Sequence, residues 1–102
     1  MAPVSETRVF PAEVATVVQS VRNAAQRVAW KPTYEHPEQG ELGFSNSMSL
    51  FSWGENYTVQ VVATGPGQTN VTVHGALKMG FADWGRRKNQ IAKFFAAMAP
   101  PA

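Results

Sequence analysis

Arg86-Arg87-Lys88 is the run in this chain whose residue types most directly suggest chemistry: three consecutive cations at the head of an expected helix. The positive end of a helix dipole disfavours cations by some tenths of a kcal/mol each, and it favours an anion that neutralises them. A site for phosphate, a carboxylate or an acidic surface, nucleic acid included, is therefore one reading of Arg86, Arg87 and Lys88. Successive helical residues turn by about 100°. Arg87 and Lys88 then flank the Trp84–Ile91 stripe and Arg86 stands opposite, which argues against a single clamp. The alternative is pairing with the acids of the middle segment, Glu35, Glu38, Glu41 and Glu55. From Thr33 to Tyr57 there is no Lys or Arg to neutralise them.

The other groups with chemical potential are weaker candidates. His36 and His74, with no cysteine in the chain, cannot build a structural zinc site, and no ligand spacing forms around Glu35 or Glu38. The lack of cysteine also removes disulfides and thiolate nucleophiles. Serines are frequent, but none sits in a Gly-x-Ser-x-Gly elbow or beside a base that the sequence nominates. The glutamates read as turn residues, without the apolar surroundings that split the pKa values of paired carboxylates. Gly65-Pro66-Gly67 is a hairpin tip, not a strand-to-helix phosphate cradle. The expectation is no enzyme, no cofactor and no metal. Among the plentiful aromatic residues, Phe44, Trp53, Phe94 and Phe95 are the ones that could line an apolar groove between a sheet and the C-terminal helix, for a small apolar ligand or lipid.

Composition sets the class of object that holds these residues. A chain of 102 residues at 44% hydrophobic and 16% charged is globular, with one domain expected and little stability to spare. Its formal net charge of +2 is too small to argue for nucleic acid by itself. The distribution is lopsided, because Lys78, Arg86, Arg87, Lys88 and Lys93 face only Asp83 in the last segment. The opening residues carry no basic and apolar leader pattern, and no apolar run nears the roughly 20 residues that span a bilayer. Cytoplasm is the default compartment.

Along the chain, Thr7 to Phe10 reads as a short strand, and Pro11 suits the first turn of a helix. Val14, Val17, Val18, Val21, Ala24, Ala25 and Val28 then repeat at helical spacing, a β-branched and small stripe suited to lying on a sheet. Trp30 to His36 is a strand with Pro32 marking its edge or its start. Glu41 to Trp53 is a second strand, with Phe44, Asn46, Met48 and Leu50 on one face and a bulge expected near Leu50-Phe51. Tyr57, Val59, Val61 and Ala63 face inward on the next. Thr64 to Gln68 closes a hairpin with Val71, Val73, Gly75, Leu77 and Met79. Asp83 is the expected N-cap of the last helix, whose apolar face is Trp84, Ile91, Phe94, Phe95 and Met98.

The order is β-α-β-β-β-β-α: an α+β two-layer sandwich, a mostly antiparallel sheet with two helices on one face. Residues 1–102 form a single domain, with an ordered core over about 7–98 and a frayed tail at 99–102. The opposite sheet face, bearing Ser45, Ser47, Ser49, Thr58, Gln60, Thr72 and His74, is polar enough to meet water.

These residues carry a resemblance. The strand from Val71 to Gly80, the Asp83-Trp84-Gly85 elbow and the basic helix from Arg86 to Ile91 resemble the end of a family of small uncharacterised bacterial domains. There a V-x-V-x-S strand leads to Asp-x-Gly and a basic helix with an apolar tail. The Val-rich first helix, Trp30, the strand from Gly40 to Phe44 and the strand from Tyr57 to Ala63 fit the same pattern. Gly75-Ala76 stands where that family has serines. The family has no assigned activity, so the likeness implies a fold only. A second resemblance is to the helix-grip lipid- and polyketide-binding proteins, which also start β-α with Pro-x-x-Val and end in a long helix. It implies a ligand held between sheet and helix, although this chain is shorter and has fewer strands. The combined expectation is a small non-enzymatic binding or protein-interaction module, with an unknown protein partner, self-association or a small apolar ligand as its target.

Overall fold

The computed structural model describes residues 4–46, 55–77 and 86–98. The elements are β1 (Val4–Phe10), α1 (Val14–Arg27), β2 (Lys31–His36), a single 3-10 turn (Pro37–Gln39), β3 (Glu41–Asn46), β4 (Glu55–Gly65), β5 (Gln68–Leu77) and α2 (Arg86–Ala97). The strands form one five-stranded sheet in the order β1-β5-β4-β3-β2, with every neighbouring pair antiparallel. This is the α+β architecture expected from the order of elements. The first strand joins beside the last, so β1 and β2 form the two edges. The expected bulge at Leu50-Phe51, the Asp83 cap and Trp84 lie outside the described residues.

Helix α1 buries the face its spacing predicts. Val17, Val18, Val21, Ala24 and Ala25 are buried against Leu42, Phe44, Tyr57, Val59, Val61, Val71 and Val73 of the sheet, while Val14 and Val28 pack at the margin. From α2, Ile91, Phe94, Phe95 and Met98 complete the same core. Small and β-branched side chains on α1 let it lie close to the pleated surface. Two local expectations change. Pro11 sits in a bend before the helix, where the N–H of Ala12 donates to the carbonyl of Phe10 at 2.9 Å. Ala63 is exposed although it still pairs with the buried Thr69, at the last regular position of the ladder before the turn.

The β4–β5 hairpin turns through Pro66-Gly67, with Gly67 at φ 64°. Pro presets the first turn position and only glycine takes the second at no steric cost. The tip is tied to the start of α1. The N–H of Gly67 donates to Glu13 Oε1 at 2.8 Å, and the buried Thr69 hydroxyl donates to the Ala12 carbonyl at 2.7 Å. Glu13 precedes the first helical residue, but its carboxylate makes no capping bond to α1 and serves the hairpin instead. Away from the helices, Thr58 pairs with His74, Gln60 with Thr72, and the Thr7 and Thr72 hydroxyls share a 2.8 Å hydrogen bond. On this face the Tyr34 ring lies over Gly43, where a Cβ would run into Tyr34 Cε1.

Candidate functional site

The site is organised by Trp30, which the sequence places in a strand and the structure turns inward just before β2. Helix α1 ends at Val28, and Ala29 takes a left-handed φ of 62°. The N–H of Trp30 donates to the Ala25 carbonyl at 2.8 Å and that of Ala29 to Gln26 at 3.1 Å. These are the paired bonds of a Schellman ending, with alanine in the position glycine usually takes. The reversal sends the indole into the core.

There the indole is sandwiched. Its centroid lies 3.9 Å from that of Tyr57 with the planes 6° apart, and 4.7 Å from that of Phe94 with the planes 3° apart. Phe44 tilts against it at 6.3 Å. The indole Nε1 donates to Gln90 Oε1 at 3.4 Å, and Asn46 Nδ2 donates to the same oxygen at 3.3 Å. Indole N–H is a donor only, so it fixes which way the Gln90 amide points, and hence the Asn46 amide. Gln90 thus pins α2 to the loop after α1 and to β3. Beside this group Glu55 is fully buried, and its Oε1 accepts from the Tyr57 hydroxyl at 3.1 Å. Glu55 was expected in a turn; it opens β4 and points into the core. An acid followed two residues later by tyrosine at the start of an alternating strand is the signal that could have found it.

One edge of the indole reaches a cleft of about 320 Å³ between α1 and β2, lined by Arg22, Ala25, Gln26, Trp30, Pro32, Glu35 and Phe44. Its rim is polar: Arg22 Nη2 and Nε donate to Glu35 Oε1 at 2.7 and 3.1 Å. The hydrogen bond to Glu35 raises the Arg22 pKa further above its ordinary value, against a smaller desolvation effect. Along the same helix a shallower hollow of about 550 Å³ is lined by Val14, Ala15, Val18, Arg22, Pro37 and Glu38. Arg22 is common to both.

The residues nominated from sequence are distributed as follows. Phe44 lines the cleft. Phe94 is buried against Trp30, and Phe95 is buried against Phe10, at 6.3 Å, and under the Arg8 guanidinium, at 4.7 Å. Trp53 lies outside the described residues. Arg86, Arg87 and Lys88 do open α2, and Lys88 is exposed; the side chains of the two arginines lie outside the described residues. Of the acids weighed as their partners, Glu35 is held by Arg22, Glu41 accepts from the Tyr34 hydroxyl at 2.9 Å, and Glu38 lies 3.8 Å from His36. Gly75 shows why a serine does not fit this packing. A Cβ there would come within 2.9 Å of Tyr57 Cε1 and 3.5 Å of Ile91 Cδ1. Among the described residues no group of three His, Asp or Glu side chains could hold a metal ion.

No family model matches the chain, and no curated protein does, so the resemblance to a small bacterial family has no model behind it. Solved structures do match in fold. The protein XoxI from Bacillus cereus superposes with a TM-score of 0.72 at 11% identity, over 96% of this chain and 93% of that one. A START superfamily protein from Mycobacterium smegmatis gives 0.61 at 12% identity, over 95% and 91%. The di-domain ARO/CYC BexL from the BE-7585A biosynthetic pathway gives 0.70 at 13% identity, over 96% of this chain and 45% of that one. The chain therefore shares its fold with these structures, a START superfamily protein and an ARO/CYC protein among them, which is consistent with the helix-grip resemblance. Among the described residues no helix is long and apolar enough to cross a membrane.

Proposed function

We propose that this chain is a small, non-enzymatic binding module that holds a planar apolar ligand in the cleft between α1 and β2. The observation that carries this reading is the cleft itself. It has an aromatic floor of Trp30 and Phe44, apolar walls from Ala25 and Pro32, and one ion pair at its rim. A concave, mostly apolar surface with few polar groups is the usual form of a small-molecule site, and this volume is near the lower end of the roughly 300–1,000 Å³ such sites occupy. The shared fold with a START superfamily protein and an ARO/CYC domain of a biosynthetic pathway supports the same class. A binding role is preferred to catalysis because the charged lining groups, Arg22 and Glu35, neutralise each other, and among the described residues of the lining there is no histidine or serine.

The test is a titration of the isotope-labelled protein with 2-naphthol. Saturable shifts centred on the Trp30 indole and the Ala25, Gln26 and Phe44 amides are expected. An unshifted spectrum at about 1 mM probe, where even a binding free energy of roughly −4 kcal/mol would half-fill the site, would overturn the proposal.

A further inference from the structure

We propose that β1 is a self-complementary edge through which two copies of this chain pair antiparallel, about a two-fold axis at Thr7, joining their sheets into one. The two edges of the sheet are not alike. Strand β2 carries Pro32 and a register shift between Pro32 and Tyr34, with Lys31 before them. These are the devices that keep an edge from adding another strand. Strand β1 has neither proline nor bulge. Its seven residues run in unbroken register against β5 from Val4–Gly75 to Phe10–Thr69. Its other side faces no strand among the described residues.

What selects a second copy as the partner is the order of residues along β1. Reading Val4-Ser5-Glu6-Thr7-Arg8-Val9-Phe10 against itself in reverse places Thr7 opposite Thr7, Glu6 opposite Arg8, Ser5 opposite Val9 and Val4 opposite Phe10. The two-fold axis produces each of the unlike pairs twice. Glu6 and Arg8 lie on one face, both on the helix side, because their partners on β5 are the buried Val73 and Val71. Within one chain they meet only through a 3.5 Å contact, with side chains 42% and 46% exposed. The Arg8 guanidinium also lies over the Phe95 ring at 4.7 Å, but both side chains keep exposed surface for a cross-strand partner of opposite sign, the arrangement that stabilises antiparallel pairs, whereas like charges placed opposite destabilise them. Val4 and Phe10, partly buried at the core margin, supply the apolar pairs at both ends, and Val9, 54% exposed on the outer face, gains a neighbour. Only this register pairs both charges. A slip by one residue moves every side chain to the wrong face, and a slip by two breaks both ion pairs and sets Glu6 against Glu6 or Arg8 against Arg8.

Sedimentation velocity across a concentration series tests the proposal with three proteins: the unaltered chain, Glu6→Arg and Arg8→Glu. The unaltered chain is expected to show a monomer–dimer equilibrium. Each variant alone places like charges opposite one another twice, and its dimer should be about tenfold weaker or more. Mixing the two variants places arginine opposite glutamate at both positions, so a heterodimer as tight as the original dimer should form. Its advantage over the separate variants should shrink in about 0.5 M salt, where screening is nearly complete. Circular dichroism and urea midpoints confirm that the variants, altered at half-exposed positions, remain folded. A strict monomer for the unaltered chain overturns the proposal. So does a dimer that both variants retain, which would place the contact on another face, or a mixture that fails to associate, which would leave the edge to a strand of unrelated sequence.

Discussion

Replacing Gln90 with leucine removes one acceptor and strands two donors. The Gln90 oxygen receives the Trp30 indole N–H and the Asn46 amide, at 3.4 and 3.3 Å, and both donors belong to buried residues. A buried donor left without a partner costs roughly 1–3 kcal/mol. These bonds are long and Gln90 is itself half-buried, so the low end of that range applies to each, giving about 2 kcal/mol in total. That is a large share of the roughly 5–15 kcal/mol by which a domain of this size is stable. It corresponds to a fall of about 8–16 °C in Tm. Urea unfolding followed by tryptophan fluorescence and circular dichroism measures it. The midpoint should fall with the slope unchanged, because the surface exposed on unfolding is the same. Asn46→Ala should cost less in the Gln90→Leu background than alone, since the bond it removes is already gone. A loss below about 0.5 kcal/mol, or full additivity of the two changes, would show that Gln90 does not anchor α2 in this way.

Further outcomes are expected. Ala29→Gly should raise stability by up to about 1 kcal/mol, because glycine relieves the left-handed strain at φ 62° at a smaller cost in unfolded-chain entropy; an unchanged or lower urea midpoint would contradict the Schellman reading. Gly75→Ala should lose roughly 1–3 kcal/mol by overpacking Tyr57 and Ile91 in the core. Gly43→Ala, despite a closer Cβ contact, should lose less, because the exposed Tyr34 ring can swing away; equal losses would refute the distinction. Thr69→Val should lose about 1 kcal/mol with the hydroxyl bond to Ala12, read by urea unfolding. Tyr34 should titrate above the ordinary tyrosine pKa of 10.0, chiefly because of partial desolvation, with a hydrogen bond to Thr58 opposing the shift and the donation to Glu41 adding to it. A raised folded-state pKa means that the stabilisation is fully present below pH 10 and is lost as pH rises through the higher value. Ultraviolet absorbance at 295 nm, compared with Tyr34→Phe, reads the titration.

The cleft and the β1 edge lie at opposite ends of the sheet, so the two proposals are independent. Ligand binding beside β2 leaves β1 untouched, and pairing at β1 leaves the α1–β2 mouth open.

Periodicity alone determined most of the architecture. The valine and alanine stripe of α1 buries where its spacing put it, and the inward residues of β4 and β5 alternate as the sequence alternates, up to Ala63. Short-range chemistry is enough for this, because a helical or pleated backbone assigns each side chain a face before any partner arrives. The tertiary structure decided everything that depends on which distant residues meet. Trp30 reads as a strand residue until a left-handed Ala29 turns it between Tyr57 and Phe94. Glu55 reads as a turn residue until β4 begins with it and the core closes around it. Of the residues expected to line an apolar groove, Phe94 and Phe95 are buried in the core and Phe44 lines the cleft that opens where Arg22 meets Glu35. The placing of Glu6 and Arg8 on either side of Thr7 can be read off the sequence, yet it has meaning only once the sheet order leaves β1 at an edge. Local pattern sets which face a residue takes; only packing sets what stands opposite it.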